Sequence, residues 1–103
     1  MIRHIALFRF DPGLPANETD RLVAGFEALV DQVDGFIGVS GGINVSPEQL
    51  DQGFRHGIVA DFEDMGALKA YLQHPAHIGH AARVLAALKT GVEHDVIVFD
   101  LEL

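Results

Sequence analysis

The chain has no cysteine, no tryptophan, one tyrosine and only 7 lysines and arginines, against 15 aspartates and glutamates. Without cysteine there is neither a disulfide framework nor thiolate chemistry. With a formal net charge of −8, no basic face is available for nucleic acid or an anionic membrane, and both are excluded as partners. No apolar run approaches the ~20 residues needed to span a bilayer. The opening Met1–Phe10 is too short and too interrupted by charge to read as a signal peptide, so the expectation is a soluble, cytoplasmic protein. The glycines do not form a GxGxxG fingerprint between a strand and a helix, which removes the usual dinucleotide site. No linker, repeat or low-complexity segment divides the 103 residues, so 1–103 reads as a single domain.

What the chain does have is periodicity. Residues 2–10 alternate, with Ile2, His4, Ala6, Phe8 and Phe10 on one side and Arg3, Ile5, Leu7 and Arg9 on the other. Asp11–Pro15 is a turn, and Asn17 or Thr19 is placed to cap a helix. From about 17 to 34 the apolar residues Leu22, Phe26, Leu29, Val30 and Val33 recur at helical spacing. Gly35 ends that helix. Phe36–Val45 reads as a strand in which Gly41–Gly42 suggests a bulge or a close backbone approach. A loop leads to a strand over Phe54–Phe62, with Phe54, His56, Ile58, Ala60 and Phe62 sharing a face. Asp61 or Asp64 can cap a helix through Ala67, Leu68, Tyr71 and Leu72. A further helix spans about 75–90, and Val92–Leu101 reads as the last strand.

The order β-α-β-β-α-β predicts an α+β, ferredoxin-like sandwich: one antiparallel four-stranded sheet with the helices on one face. The opposite face then carries Ile5, Leu7, Val59, Ile97, Phe99 and Leu101 with nothing in the chain to cover them. A soluble monomer rarely exposes such a face, so a homodimer packed sheet on sheet is expected.

The densest chemistry lies in Tyr71-Leu-Gln-His74-Pro75-Ala-His77-Ile-Gly-His80. Pro75 drives His74 out of the preceding helix and starts a new one. His77 then sits in a first turn, where the macrodipole disfavours imidazolium and leaves a neutral ring able to accept a proton. The bland alternative is a polar helix junction. His4 and His56 lie on the faces expected to meet the helices. They would converge with Tyr71 and His77 on one apolar hollow lined by Phe8, Phe26, Leu29, Ile58 and Leu85, which is the form of a small-molecule site. The alternative is a pair of core histidines satisfied by each other or by backbone. A metal at His74, His77 and His80 is not supported, because i, i+3, i+6 spacing fans the rings around a helix. His80 and His94 read as surface residues, and Asp31–Asp34 and Asp61–Asp64 as solvated helix ends.

The segments His4-Ile-Ala-Leu-Phe-Arg-Phe10, Gly53-Phe-Arg-His56 and Tyr71-Leu-Gln-His-Pro-Ala-His77 together resemble the stress-responsive dimeric α/β-barrel (Dabb) family over essentially the whole chain. The resemblance implies a ferredoxin-like protomer whose dimer closes two sheets into a barrel. Within the family the sequence is similar to plant polyketide cyclases that close a ring by aldol condensation. That similarity implies His77 as the base and Tyr71 as its partner, with His4 and His56 as further pocket histidines. With the lining of the hollow, the residues expected about the substrate are His4, His56, Phe8, Phe26, Ile58 and His74, with no cofactor or metal. A pocket tyrosine of those cyclases falls on Phe26, which puts a polyketide substrate in doubt. The functional expectation is a cofactor-free cyclase or lyase acting on a small apolar or carbonyl-containing compound. The alternative is a non-catalytic, stress-responsive ligand-binding or structural dimer. A heme-using monooxygenase is disfavoured, since no axial-ligand motif is present.

Overall fold

The computed structural model describes residues 1–103. Strand β1, Ile2–Phe8, keeps the expected alternation, with Ile2, His4, Ala6 and Phe8 buried and the residues between them half-buried. Helix α1, Ala16–Ala24, starts on Pro15, which offers no side-chain cap. Thr19 instead turns its hydroxyl back to the Ala16 carbonyl at 3.0 Å, and the expected capping role of Asn17 or Thr19 is not used. The expected single helix over 17–34 is two pieces, because at Gly25 the chain tightens into a 3-10 helix, Gly25–Gln32.

Strand β2, Phe36–Ile43, comes after Gly35, whose φ of 81° is the left-handed conformation a tight helix-to-strand turn requires. The sheet irregularity falls between Phe36 and Gly38, not at Gly41–Gly42. Gly41 is the close approach: a Cβ there would stand 2.7 Å from both the Gly57 carbonyl and a Val23 methyl. Strand β3, His56–Phe62, begins two residues later than its alternation suggests. Phe54 is buried under the Arg9 guanidinium, 4.3 Å from its ring centre.

Helix α2, Met65–Gln73, is capped by Asp64, whose carboxylate accepts from the Ala67 N–H at 2.8 Å. His74 has ψ of 134°, outside the helix as the following proline demands, and α3, Pro75–Ala86, starts at once. A short helical turn, Val92–Asp95, occupies the start of the expected last strand, which begins only at Val96 and forms β4, Val96–Glu102. Asp95 is fully buried in that turn and accepts from the Thr90 and Gly91 N–H groups and the Thr90 hydroxyl.

The four strands form one sheet in the order β2-β3-β1-β4, every neighbouring pair antiparallel. This is the ferredoxin-like arrangement. One face packs Ile2, Ala6, Phe8, Ile58, Ala60 and Phe62 against Val23, Phe26, Leu29, Leu68, Tyr71 and Val84 from the helical layer. The other face is bare: Val59, Ile97, Phe99 and Leu101 are 39–58% exposed. Asp61 lies on that face, where it forms a two-pronged ion pair with Arg3 at 2.8 and 3.1 Å, and so is not a solvated helix end. No helix is long and apolar enough to cross a membrane.

Candidate functional site

A cavity of about 320 Å3 opens between the β1–β4 edge of the sheet and helices α2 and α3. Its walls are mainly apolar and include Phe8, Phe26, Ile58, Val84, Leu85 and Val98. Four polar side chains reach it: His4, Tyr71, His77 and Asp100. Strand alternation aims His4 inward from β1. Asp100 is its directly opposed partner on β4, so the two side chains meet on the same face. His4 Nδ1 lies 2.5 Å from a carboxylate oxygen of Asp100. Such contact fixes the orientation of the imidazole and its tautomer.

Tyr71, from the last turn of α2, is fully buried, and burial pushes its phenol pKa well up, so it stays protonated. Its ring sits edge-on to His4 and 4.2 Å from that of His77, centre to centre. His77 is half-buried at the third position of α3. Burial pushes its imidazolium pKa down; the Leu72 backbone opposes that shift, while His4 and His80 add to it. Neutral imidazole is therefore the form at pH 7. The Tyr71 hydroxyl and His77 Nδ1 are both buried and neither has a hydrogen-bond partner. Polar atoms are seldom left so unless something else is to meet them.

Of the residues expected about the site, His4, Phe8, Phe26, Ile58, Tyr71, His77 and Leu85 line this cavity, and Leu29 packs in the core beside it. His56 does not reach it. It has the expected parity, but it pairs with Phe8 whereas Ala60 pairs with His4, four residues or about 13 Å along the sheet. His56 packs instead on Phe10 at 5.2 Å and borders a separate hollow with Asp20 and Glu27. His74 does not line the cavity either: its Nδ1 accepts from the Ala76 N–H at 3.1 Å and caps α3. His80, expected at the surface, is buried between α3 and α1. No cluster of His, Asp and Glu side chains is arranged to hold a metal. The residue that sequence reasoning misses is Asp100. A lone carboxylate in the apolar run Val96–Leu101 is the available signal, and strand register is needed to set it against His4.

The family model for the stress responsive A/B barrel domain, Dabb, matches residues 2–103. The chain belongs to that family. This Dabb chain is 31% identical over 87 residues to the stress-response A/B barrel domain-containing protein HS1 of Arabidopsis thaliana, covering 84% of the present chain and 80% of that protein. It is 22% identical over 78 residues to olivetolic acid cyclase of Cannabis sativa, covering 76% and 77% of the two chains. Among solved structures, a dimeric ferredoxin-like protein of unknown function from Jannaschia sp. CCS1 superposes with a TM-score of 0.84 at 25% identity, covering 99% of this chain and 98% of that one. The hydroxynitrile lyase of Passiflora edulis superposes with a TM-score of 0.82 over 97% and 90% of the chains, and at 19% identity shares the fold.

Proposed function

We propose that this Dabb protein is a homodimeric, cofactor-free lyase or cyclase that removes a proton alpha to the carbonyl of a small compound held in the cavity. The reading rests on one observation above the others: the Tyr71 hydroxyl and His77 Nδ1 stand unpartnered in a largely apolar cavity. The neutral His77 imidazole takes the proton on a ring nitrogen. The C–H electron pair moves toward the carbonyl, and the enolate oxygen receives a hydrogen bond from the Tyr71 hydroxyl. His4, held by Asp100, adds a second oriented polar group to the same wall. Carbon–carbon bond formation can proceed from that enolate; in the cleavage direction the same base would instead take the proton of a beta-hydroxyl, and the enolate would leave as the bond breaks. A cyclase and a lyase occur among the similar proteins.

The homodimer is supported by the bare apolar sheet face and by the dimeric description of the Jannaschia neighbour. The decisive experiment for the chemistry is hydrogen–deuterium exchange at the alpha carbon of a small ketone in D2O. Exchange is expected with the wild-type chain and lost in His77→Ala. A bound ketone that never exchanges would favour the ligand-binding alternative.

A further inference from the structure

Among the residues lining the cavity there is no lysine and no arginine. The cations nearest in sequence to its walls do not border it: Arg3 is paired with Asp61 on the opposite sheet face, Arg9 lies by Asp95, and Lys69 on α2 and Arg83 on α3 are exposed. The one acid is Asp100, whose side chain is 35% exposed and already engaged with His4. Around the opening stand Leu72, Leu85 and Val98, each more than 40% exposed, so the rim is apolar. At about 320 Å3 the space lies at the small end of the roughly 300–1,000 Å3 common for drug-sized ligands.

From this arrangement we propose that the cavity selects a compact uncharged compound, and that Asp100 acts at its mouth as a specificity residue that turns anions away. The inference rests on the reading of this cavity as a ligand site. An entering carboxylate would leave water for apolar walls and approach a like charge, with no cation to meet it. A cation would find the Asp100 carboxylate already taken by an imidazole. A single carbonyl or hydroxyl loses less on desolvation and finds Tyr71 and His77 unpartnered.

The test uses two probes of nearly equal shape, acetophenone and benzoate, titrated into the full chain at pH 7.5 and followed by amide chemical shifts. Acetophenone is expected to shift the Phe26, Tyr71 and His77 signals saturably, with benzoate about tenfold or more weaker. Asp100→Asn should narrow that gap, and Val98→Arg, which puts a cation on an exposed rim position, should close or invert it. Equal binding of both probes to the wild-type chain, no binding of either, or a gap that neither variant narrows would overturn the inference. The chemistry is scored separately in the same samples: acetophenone that binds without methyl deuteration leaves the selectivity standing and removes the proton-abstraction reading.

Discussion

His80 Nε2–H donates to the main-chain carbonyl of Leu22 at 2.7 Å, tying α3 to α1 where the latter gives way to the 3-10 helix. The last carbonyls of an α-helix lack partners within the helix, and His80 supplies one from a neighbour. Gly25 makes room for it: a Cβ there would lie 2.3 Å from the imidazole. The far edge of the contact is Phe26, whose ring meets that of His80 edge-on at 4.6 Å and forms part of the cavity wall.

His80→Ala therefore removes the hydrogen bond to the half-buried Leu22 carbonyl and leaves a void behind Phe26. The expected loss is about 2–3 kcal/mol of stability. Gly25→Ala should cost about 1–3 kcal/mol by displacing the ring, although its backbone conformation tolerates alanine. Thermal melts check both. Wild-type stability in either variant would show that the contact does not hold the two helices.

The pH dependence originates in His77. Its folded-state pKa is depressed below 6.5, chiefly by burial, so the base form persists to lower pH than for a free imidazole. The acid limb of alpha-proton exchange should accordingly have its midpoint below pH 6.5, on the acid side of a free imidazole. His77→Ala should lower the rate by about 10^2–10^4. The same shift bears on stability. A depressed folded pKa means stability is fully present above the unfolded value and lost as pH falls through the folded one. Denaturant midpoints between pH 7.5 and 5 should decline in the wild-type chain and decline less in His77→Phe. Parallel declines would refute the linkage.

Tyr71 separates stability from function. Its hydroxyl is buried with no partner, so Tyr71→Phe removes a desolvated polar atom and should leave stability unchanged or raise it by about 1 kcal/mol. The same change removes the donor proposed for the enolate oxygen, and exchange should slow by about 10^2. Denaturation and exchange measured on one preparation decide the matter. A large loss of stability would mean that the hydroxyl has a structural partner.

The fold is legible in the sequence because alternation and helical spacing both report which side of a segment is buried. The bare sheet face comes from the same pattern, since Ile5, Leu7, Val59, Ile97 and Phe99 share parity with nothing to cover them. The site is legible only in part. Parity assigns His4 and His56 to the correct face but cannot tell them apart, because distance along a sheet depends on register. Pro75 fixes the helix junction, and with it the place of His77, yet gives no sign that His74 spends its ring nitrogen on a cap. His80 looks like a surface residue because its polar edge answers a carbonyl 58 residues earlier, a partner that spacing within its own helix cannot show. Asp100 escapes notice for the reason that His56 is overrated: both depend on register, which parity does not carry.

The assembly can be tested on the bare face. Phe99 on β4 is 58% exposed and pairs with Ile5, which in turn pairs with Val59, giving an apolar stripe across three strands. Beside it the Arg3–Asp61 pair is held in fork geometry and lowers the Asp61 pKa, chiefly through the hydrogen bonds from Arg3. A second copy laid on this stripe would bury it, and a charge at Phe99 would have to be buried with it. Wild-type chain should sediment as a dimer and Phe99→Asp as a folded monomer, with circular dichroism confirming that the sheet is intact. Since the cavity lies on the opposite face of the sheet, the monomer should still bind acetophenone if it stays folded. A wild-type chain that is monomeric at micromolar concentration would remove the dimer from the proposal and leave the cavity chemistry untouched.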